Sequence, residues 1–166
     1  MPDKDKYELS TTSCSFDISI SEMFWPLVVG GSLTILNNMD AKNPDKICKA
    51  IELKHCNAIQ TTPSRIQLLL QYEKNHLAFE NLTHLYLMGE VLSESLVHEI
   101  RQVSPCEIFN CYGPTESTIW VSAKKVEPGK KITIGKPIEN VQFYILRNNL
   151  TLAAIGTYGQ LALARR

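Results

Sequence analysis

A chain of 166 residues is enough for one domain that removes on the order of 70% of its unfolded surface from water, so its core needs no disulfide or metal staple. Seventeen basic and seventeen acidic side chains cancel, and charge therefore gives no support to a nucleic-acid or anionic-membrane partner. At 44% hydrophobic and 20% charged residues the composition is that of a globular protein, and the longest apolar stretch, MFWPLVVGG (23 to 31), is broken by proline and far shorter than the roughly 20 residues of a membrane-spanning helix.

In chain order, Tyr7 to Ser15 reads as a strand already under way, SEMFWPLVV (21 to 29) as a short helix and SLTIL (32 to 36) as a strand after the Gly30-Gly31 break. Asn43-Pro44-Asp45 supplies an N-cap, a proline at the first helical position and an acidic first turn, which predicts a helix over about 44 to 55 with Ile47, Ala50, Ile51 and Lys54 on one face. NAIQT (57 to 61) is short and extended, and Thr62-Pro63 opens a helix striped by Ile66, Leu69 and Leu70. THLYLMG (83 to 89) is the next strand, Ser93 caps a helix with Leu96, Val97, Ile100 and Val103 inward, and CEIFN (106 to 110) is a further strand. Alternating strands and helices predict an α/β fold, a mainly parallel sheet flanked by helices.

After Glu116 the helical period stops. TIWVSAKKV, KITIGKP, VQFYILR and GQLALA, separated by EPGK and RNN turns, read as antiparallel strands of a smaller β unit. The expected division is an α/β subdomain over 1 to 118 and the start of a β-rich subdomain over 119 to 166. Both ends fall inside strands, so a piece of a longer protein is expected, with uncovered strand edges that favour self-association.

Ligands of open parallel sheets bind beyond the carboxyl ends of the strands. That rule selects Gln60-Thr61-Thr62, Met88-Gly89-Glu90, the NCYGPTE segment from Asn110 to Glu116, and the Phe16 to Ser19 loop, all converging on one crevice. NCYGPTE has the chemistry of a nucleotide site: a Thr115 hydroxyl donor, a hard oxygen ligand for magnesium in Glu116, a flat Tyr112 ring, and close backbone approach at Gly113-Pro114. An ordinary polar surface turn has the same composition. Asp17, at the end of an apolar-polar alternation, is either a shielded carboxylate awaiting a cationic partner such as a ligand amine, or, like Ser19, a helix N-cap.

His55, His76, His84 and His98 have no metal-ligand spacing, and no GxSxG, Walker lysine or GxGxxG motif occurs. The Lys124-Lys125 and Lys130-Lys131 pairs read as solvated turn positions. Five cysteines, at 14, 48, 56, 106 and 111, form no CxxC pair and are expected to be free thiols in a reducing cytoplasm.

NCYGPTE resembles the Asn-x-Tyr-Gly-Pro-Thr-Glu motif of amino-acid adenylation domains of nonribosomal peptide synthetases, within the adenylate-forming, AMP-binding superfamily. FDISISEMFWPLVVGGSLTI is similar to that family's Phe-Asp-x-Ser segment with its helix and strand, and NAIQTTPSRIQLLL to the strand-Pro-helix that follows. LTHLYLMGEVLS is similar to its Gly-Glu segment and ITIGKPIENVQFYIL to its Ile-Gly-x-Pro-Ile stretch, in family order over nearly the whole chain.

The resemblance implies an enzyme that joins an amino-acid carboxylate to the α-phosphate of ATP and passes the aminoacyl group to a phosphopantetheine thiol on a carrier domain, beside a condensation domain. Asp17 would bind the substrate α-amino group. Gly89, Glu90, Asn110, Tyr112 and Gly113 would form the adenine side, Thr115 would contact the α-phosphate and Glu116 would bind Mg2+, which makes Thr115 and Glu116 the expected catalytic residues. The side-chain pocket would be lined by Ile18, Ser21, Gln60, Tyr86, Met88, Cys111, Ile119 and Trp120. Asp17, Ile18, Gln60, Ile119 and Trp120 resemble the pattern for glycine, while Ser21, Tyr86, Met88 and Cys111 depart from it, so glycine or another small amino acid is expected. The family's phosphate loop would precede Tyr7, and its ribose-binding aspartate and catalytic lysine would follow Arg166. GTYGQLALARR matches the Gly-Glu-Leu segment only loosely, with Gln160 in place of the acid. The 166 residues are therefore expected to be inactive alone. An acyl- or aryl-CoA ligase piece, or a degenerate homologue acting as a binding module, are the alternatives.

Overall fold

The computed structural model describes residues 7–72 and 77–165, so His76 lies outside the described residues. Five parallel strands form most of the larger sheet: β1 (Tyr7–Ser10), β2 (Ser32–Ile35), β3 (Ala58–Thr61), β4 (His84–Leu87) and β5 (Glu107–Tyr112). They are joined by α1 (Ile18–Val28), α2 (Pro44–Leu53), α3 (Pro63–Tyr72), the short α4 (Leu77–Glu80) and α5 (Glu94–Val103). Two antiparallel strands, β6 (Ser122–Lys125) and β7 (Lys136–Pro137), extend this sheet, giving the order β2-β1-β3-β4-β5-β6-β7. β8 (Val141–Leu146) and β9 (Gln160–Arg165) pair in a separate antiparallel ribbon.

The α/β class and the antiparallel tail are as the sequence predicts. The strands after residue 118 do not all belong to the smaller unit, however. β6 hydrogen-bonds along β5, from Phe109 opposite Lys125 to Tyr112 opposite Ser122, and the change of sheet comes after β7. The reason is the turn after Tyr112: it reverses the chain within a few residues, so the next extended segment pairs with the strand just left. KITIGKP contributes only the two residues of β7.

Helix starts follow local chemistry. The Asn43 side chain accepts from Asp45 N–H at 3.0 Å with Pro44 at the first helical position, and Ser93 Oγ accepts from Leu96 N–H at 3.2 Å. Strand alternation then divides the sheet into two faces. Leu9, Ile59, Leu85, Leu87 and Ile108 point into the main core, against apolar residues of α2, α3 and α5 such as Ile51, Ile66 and Ile100. Gln60, Tyr86 and Phe109 sit side by side on the opposite face, with α1 reaching Gln60 through Ser21. α1 also leaves an apolar stripe outward, with Phe16, Ile20, Phe24 and Val28, four residues apart, all exposed.

Candidate functional site

The loop between β1 and α1 is tied down from the helix. Glu22, fully buried on α1, accepts from Ser10 Oγ at 2.8 Å, from Thr11 and Thr12 N–H at 3.0 Å each, and from Thr12 Oγ1 at 2.5 Å. Four donors satisfy a carboxylate that burial would otherwise penalise. This anchoring sets where Asp17 stands. Asp17 occupies the position before α1 but makes no side-chain cap hydrogen bond, and Ser19 Oγ donates back to the Phe16 carbonyl at 2.7 Å. The Asp17 carboxylate instead turns across the crevice, where Oδ2 accepts from Ile119 N–H at 3.3 Å. Oδ1 accepts no hydrogen bond among the described residues and remains available to a donor.

The turn that carries NCYGPTE is not interchangeable with an ordinary loop. A Cβ on Gly113 would lie 2.4 Å from the Ile119 carbonyl oxygen and 2.4 Å from Trp120 Cα, so glycine is required for residues 113 and 119 to 120 to lie against each other. Val121 N–H then donates to the Tyr112 carbonyl at 2.8 Å and starts the pairing of β6. Between them Thr118 and Ile119 take positive φ, 65° and 63°, a conformation costly for β-branched side chains. Thr115 to Ser117 form a single 3-10 turn, with Thr115 and Glu116 exposed.

Alternation along β5 separates two subsites. Cys111 points to the α1 face, where it is buried with Tyr86 and Met88, and Ile18, Phe109 and Trp120 pack on them. The rings are layered: Tyr86 lies 5.1 Å from Phe109 and 6.2 Å from Trp120 between centroids, and Trp120 lies 6.3 Å from Trp25. Ser21 Oγ donates to Gln60 Oε1 at 2.7 Å beneath them. Burial pushes the Cys111 thiol up to about 12, and burial with the Glu8 charge pushes the Tyr86 phenol up further. Both are neutral at physiological pH. The nine residues expected to surround an amino acid thus meet between α1, the ends of β3 to β5 and the turn before β6, although Ile119 presents its backbone N–H to Asp17.

Asn110 and Tyr112, the alternate residues of β5, face the other side. They border a cavity of about 470 Å³ lined by residues 89–92, 110–114 and 132–134. Asn110 Nδ2 donates to the Thr133 carbonyl at 3.0 Å, which fixes the carboxamide at the cavity wall. Gly89 has φ +82°, and Glu90 accepts from Ser64 N–H at 2.9 Å and Ser64 Oγ at 2.7 Å, closing the start of α3. These Ser64 donors hold the Glu90 carboxyl below the usual carboxylate range. A half-buried tyrosine ring, an oriented carboxamide and a cavity of this size fit a purine. No group of three metal-ligating side chains occurs among the described residues. The exposed Glu116 suits a magnesium ion that keeps its waters and takes its other ligands from phosphate oxygens, which needs only one or two protein carboxylates.

The sequence reading missed two acids, Glu8 and Glu22, both with 0% exposure. For Glu22 a signal was present, an acid within the apolar run of α1, where burial requires a set of donors; Glu8 alternates with the core-facing Leu9 and reads as a polar-face position. None of the five cysteines forms a disulfide, and only Cys14 is exposed. Among the described residues no helix is long and apolar enough to cross a membrane.

Residues 1–165 match the family model described as AMP-binding enzyme. The chain is 36% identical over 160 residues to a dimodular nonribosomal peptide synthase of Bacillus subtilis (strain 168), an alignment covering 94% of this chain and 6% of that protein. It is 31% identical over 168 residues to a vanchrobactin synthetase of Vibrio anguillarum, again covering 94% of this chain and 6% of the relative. A crystal structure of a four-domain nonribosomal peptide synthetase bound to AMP and glycine superposes with a TM-score of 0.86 at 29% identity, over 98% of this chain and 12% of that one. The chain therefore spans only a small part of the length of these relatives.

Proposed function

The chain belongs to the AMP-binding enzyme family, as the part that corresponds to nonribosomal peptide synthetase adenylation domains, and on that premise we propose that it carries the amino-acid and adenine sites of an enzyme that activates a small amino acid, glycine first, with ATP. In the reaction a carboxylate oxygen of the amino acid attacks the α-phosphorus, the bond to pyrophosphate breaks, and an aminoacyl-adenylate forms. A phosphopantetheine thiol on a carrier domain then attacks the acyl carbon and AMP leaves. Carrier and condensation domains are the implied partners and the cytoplasm the implied setting.

The observation that carries this reading is the division of labour along β5, with Cys111 turned to the α1 face and Asn110 and Tyr112 to the larger cavity. The two faces meet at the Gly113 turn, where an amino acid and a nucleotide would be joined. Asp17 Oδ1 would accept from the substrate ammonium group. Tyr112 would stack on adenine, with Gly89, Glu90, Asn110 and Gly113 around it. Thr115 would donate to the α-phosphate. Glu116 would hold Mg2+, whose charge offsets the repulsion between carboxylate and triphosphate. Tyr86, Met88 and Trp120 leave little room beyond the substrate Cα, which favours glycine, the amino acid present in the solved relative.

A carboxylate facing the pocket argues against an acyl- or aryl-CoA ligase, whose substrate has no amine to neutralise it. The sequence has no segment like the family's phosphate loop and no match to its catalytic lysine, so the 166 residues alone are proposed to be inactive. The test is calorimetric titration of the full-length protein with a nonhydrolysable glycyl-adenylate mimic. Binding that is abolished by Tyr112→Ala is expected, and the wild type failing to bind would overturn the proposal.

A further inference from the structure

Of the two fully buried acids among the described residues, Glu22 anchors the loop after β1, whereas Glu8 has a different neighbourhood. It lies on β1 opposite Ala58, with the same strand parity as Gln60, and therefore on the face that carries the amino-acid pocket. Gln60 Nε2 donates to Glu8 Oε1 at 2.5 Å, while Gln60 Oε1 accepts from Ser21 Oγ at 2.7 Å. The result is a buried relay, Ser21 to Gln60 to Glu8, running from the first turns of α1 through β3 to β1. A carboxamide presents a donor at one end and an acceptor at the other, and a buried one turns over unless its neighbours distinguish the two. Glu8 Oε1 accepts from Gln60 Nε2, so Glu8 sets the direction of the Gln60 amide with its NH₂ pointing inward. The Gln60 oxygen then faces Ser21 Oγ, whose single proton it shares with the Ile18 carbonyl 2.8 Å away on the first turn of α1. Neither end faces the pocket with its primary hydrogen bond unmade.

We propose that Glu8 is a positioning residue for the amino-acid site: by fixing the Gln60 carboxamide it keeps the pocket floor closed to polar side chains and holds the turn of α1 that bears Asp17 and Ile18. This rests on the amino-acid-activating function proposed above and deepens it, because it makes a residue beneath the pocket a determinant of specificity. The electrostatics agree with the placement, since burial first and the Glu8 charge second push up the Tyr86 phenol that walls the same pocket.

The experiment is amino-acid-dependent ATP–pyrophosphate exchange by the full-length protein, comparing glycine with serine, which adds one hydroxyl. Glu8→Gln keeps the side chain's size and hydrogen bonding but removes the acceptor-only neighbour, so the Gln60 amide loses its fixed direction. The KM for glycine is expected to rise and the glycine-over-serine ratio of kcat/KM to fall by about 10-fold, with the KM for ATP unchanged. Ser21→Ala, a milder change at the other end of the relay, should shift the ratio in the same direction. The double variant Glu8→Gln/Gln60→Glu, which restores one acceptor-only partner, should recover much of it. An unchanged ratio in Glu8→Gln and Ser21→Ala, or equal rises in both KM values, would overturn the proposal. A wild-type protein without exchange would instead remove the activating function and the positioning role with it.

Discussion

The Asp17 carboxylate accepts a hydrogen bond from the Ile119 backbone N–H across 102 residues of sequence, at 3.3 Å. It joins the start of α1 to a residue held at φ 63°, so two segments that are each poor in regular structure fix one another. The cost of the positive φ, on the order of 1–3 kcal/mol, is borne where the backbone must present an N–H to the crevice.

Substitutions at Asp17 should therefore separate structure from chemistry. Asp17→Asn keeps an oxygen for Ile119 N–H but loses the charge for an ammonium group, whereas Asp17→Ala loses both. Both are expected to lower kcat/KM for the amino acid by roughly 10²-fold or more, while only Asp17→Ala lowers the melting temperature. Exchange assays beside thermal melts would read the two effects independently.

Gly113→Ala places a methyl group 2.4 Å from the Ile119 oxygen and Trp120 Cα, both backbone atoms that cannot step aside without moving the turn. A loss of about 1–3 kcal/mol in urea unfolding is expected, together with loss of adenylate-mimic binding. A variant as stable as wild type would mean that the turn relaxes freely.

Much of this was legible beforehand. The helix starts at Asn43 and Ser93 and the stripes of α2, α3 and α5 depend on local chemistry, and the structure reproduces them. What failed was long-range pairing: nothing local in SAKK tells β6 to stay on the main sheet, because that choice is made by the tight reversal at Gly113. The two readings of Asp17, cap or outward carboxylate, stayed open in the residues themselves for a related reason. A carboxylate before a helix can turn back to its own N–H groups or outward, and only the distant Ile119 decides. Glu8 and Glu22 were passed over because a single acid in an apolar segment looks like an exposed position until its donors are in place.

The thiols give a pH-dependent prediction. Cys56, Cys106 and Cys111 are all raised by burial, Cys111 to about 12, and Tyr86 is raised in the same way. In the unfolded chain these groups release their protons at lower pH than in the folded one, so the stability they contribute is complete below the ordinary thiol range. It falls as pH rises from about 9 towards about 12. Denaturation midpoints should drop over that window, and at pH 8 a thiol reagent should modify the exposed Cys14 rapidly and the four buried cysteines only on unfolding. Rapid labelling of Cys111 in the folded chain would contradict this.

The outward stripe of Phe16, Ile20, Phe24 and Val28 on and before α1 is larger than isolated apolar exposure requires. The 166-residue chain by itself is expected to self-associate as its concentration rises. Light scattering should show the mass increasing, with Phe24→Ser reducing it. A monomer at all concentrations would count against the stripe as a sticky face.

The central claim is that Asp17, the aromatic pocket and the Gly113 turn together serve activation of a small amino acid. The most direct measurement is amino-acid-dependent exchange of labelled pyrophosphate into ATP by the full-length protein, with glycine set against phenylalanine and with the 166-residue chain as control. Exchange is predicted with glycine, little with phenylalanine, whose ring would have to displace the packed Tyr86, Met88 and Trp120, and none from the isolated chain. Preferential exchange with phenylalanine, or robust turnover by the 166 residues alone, would contradict it.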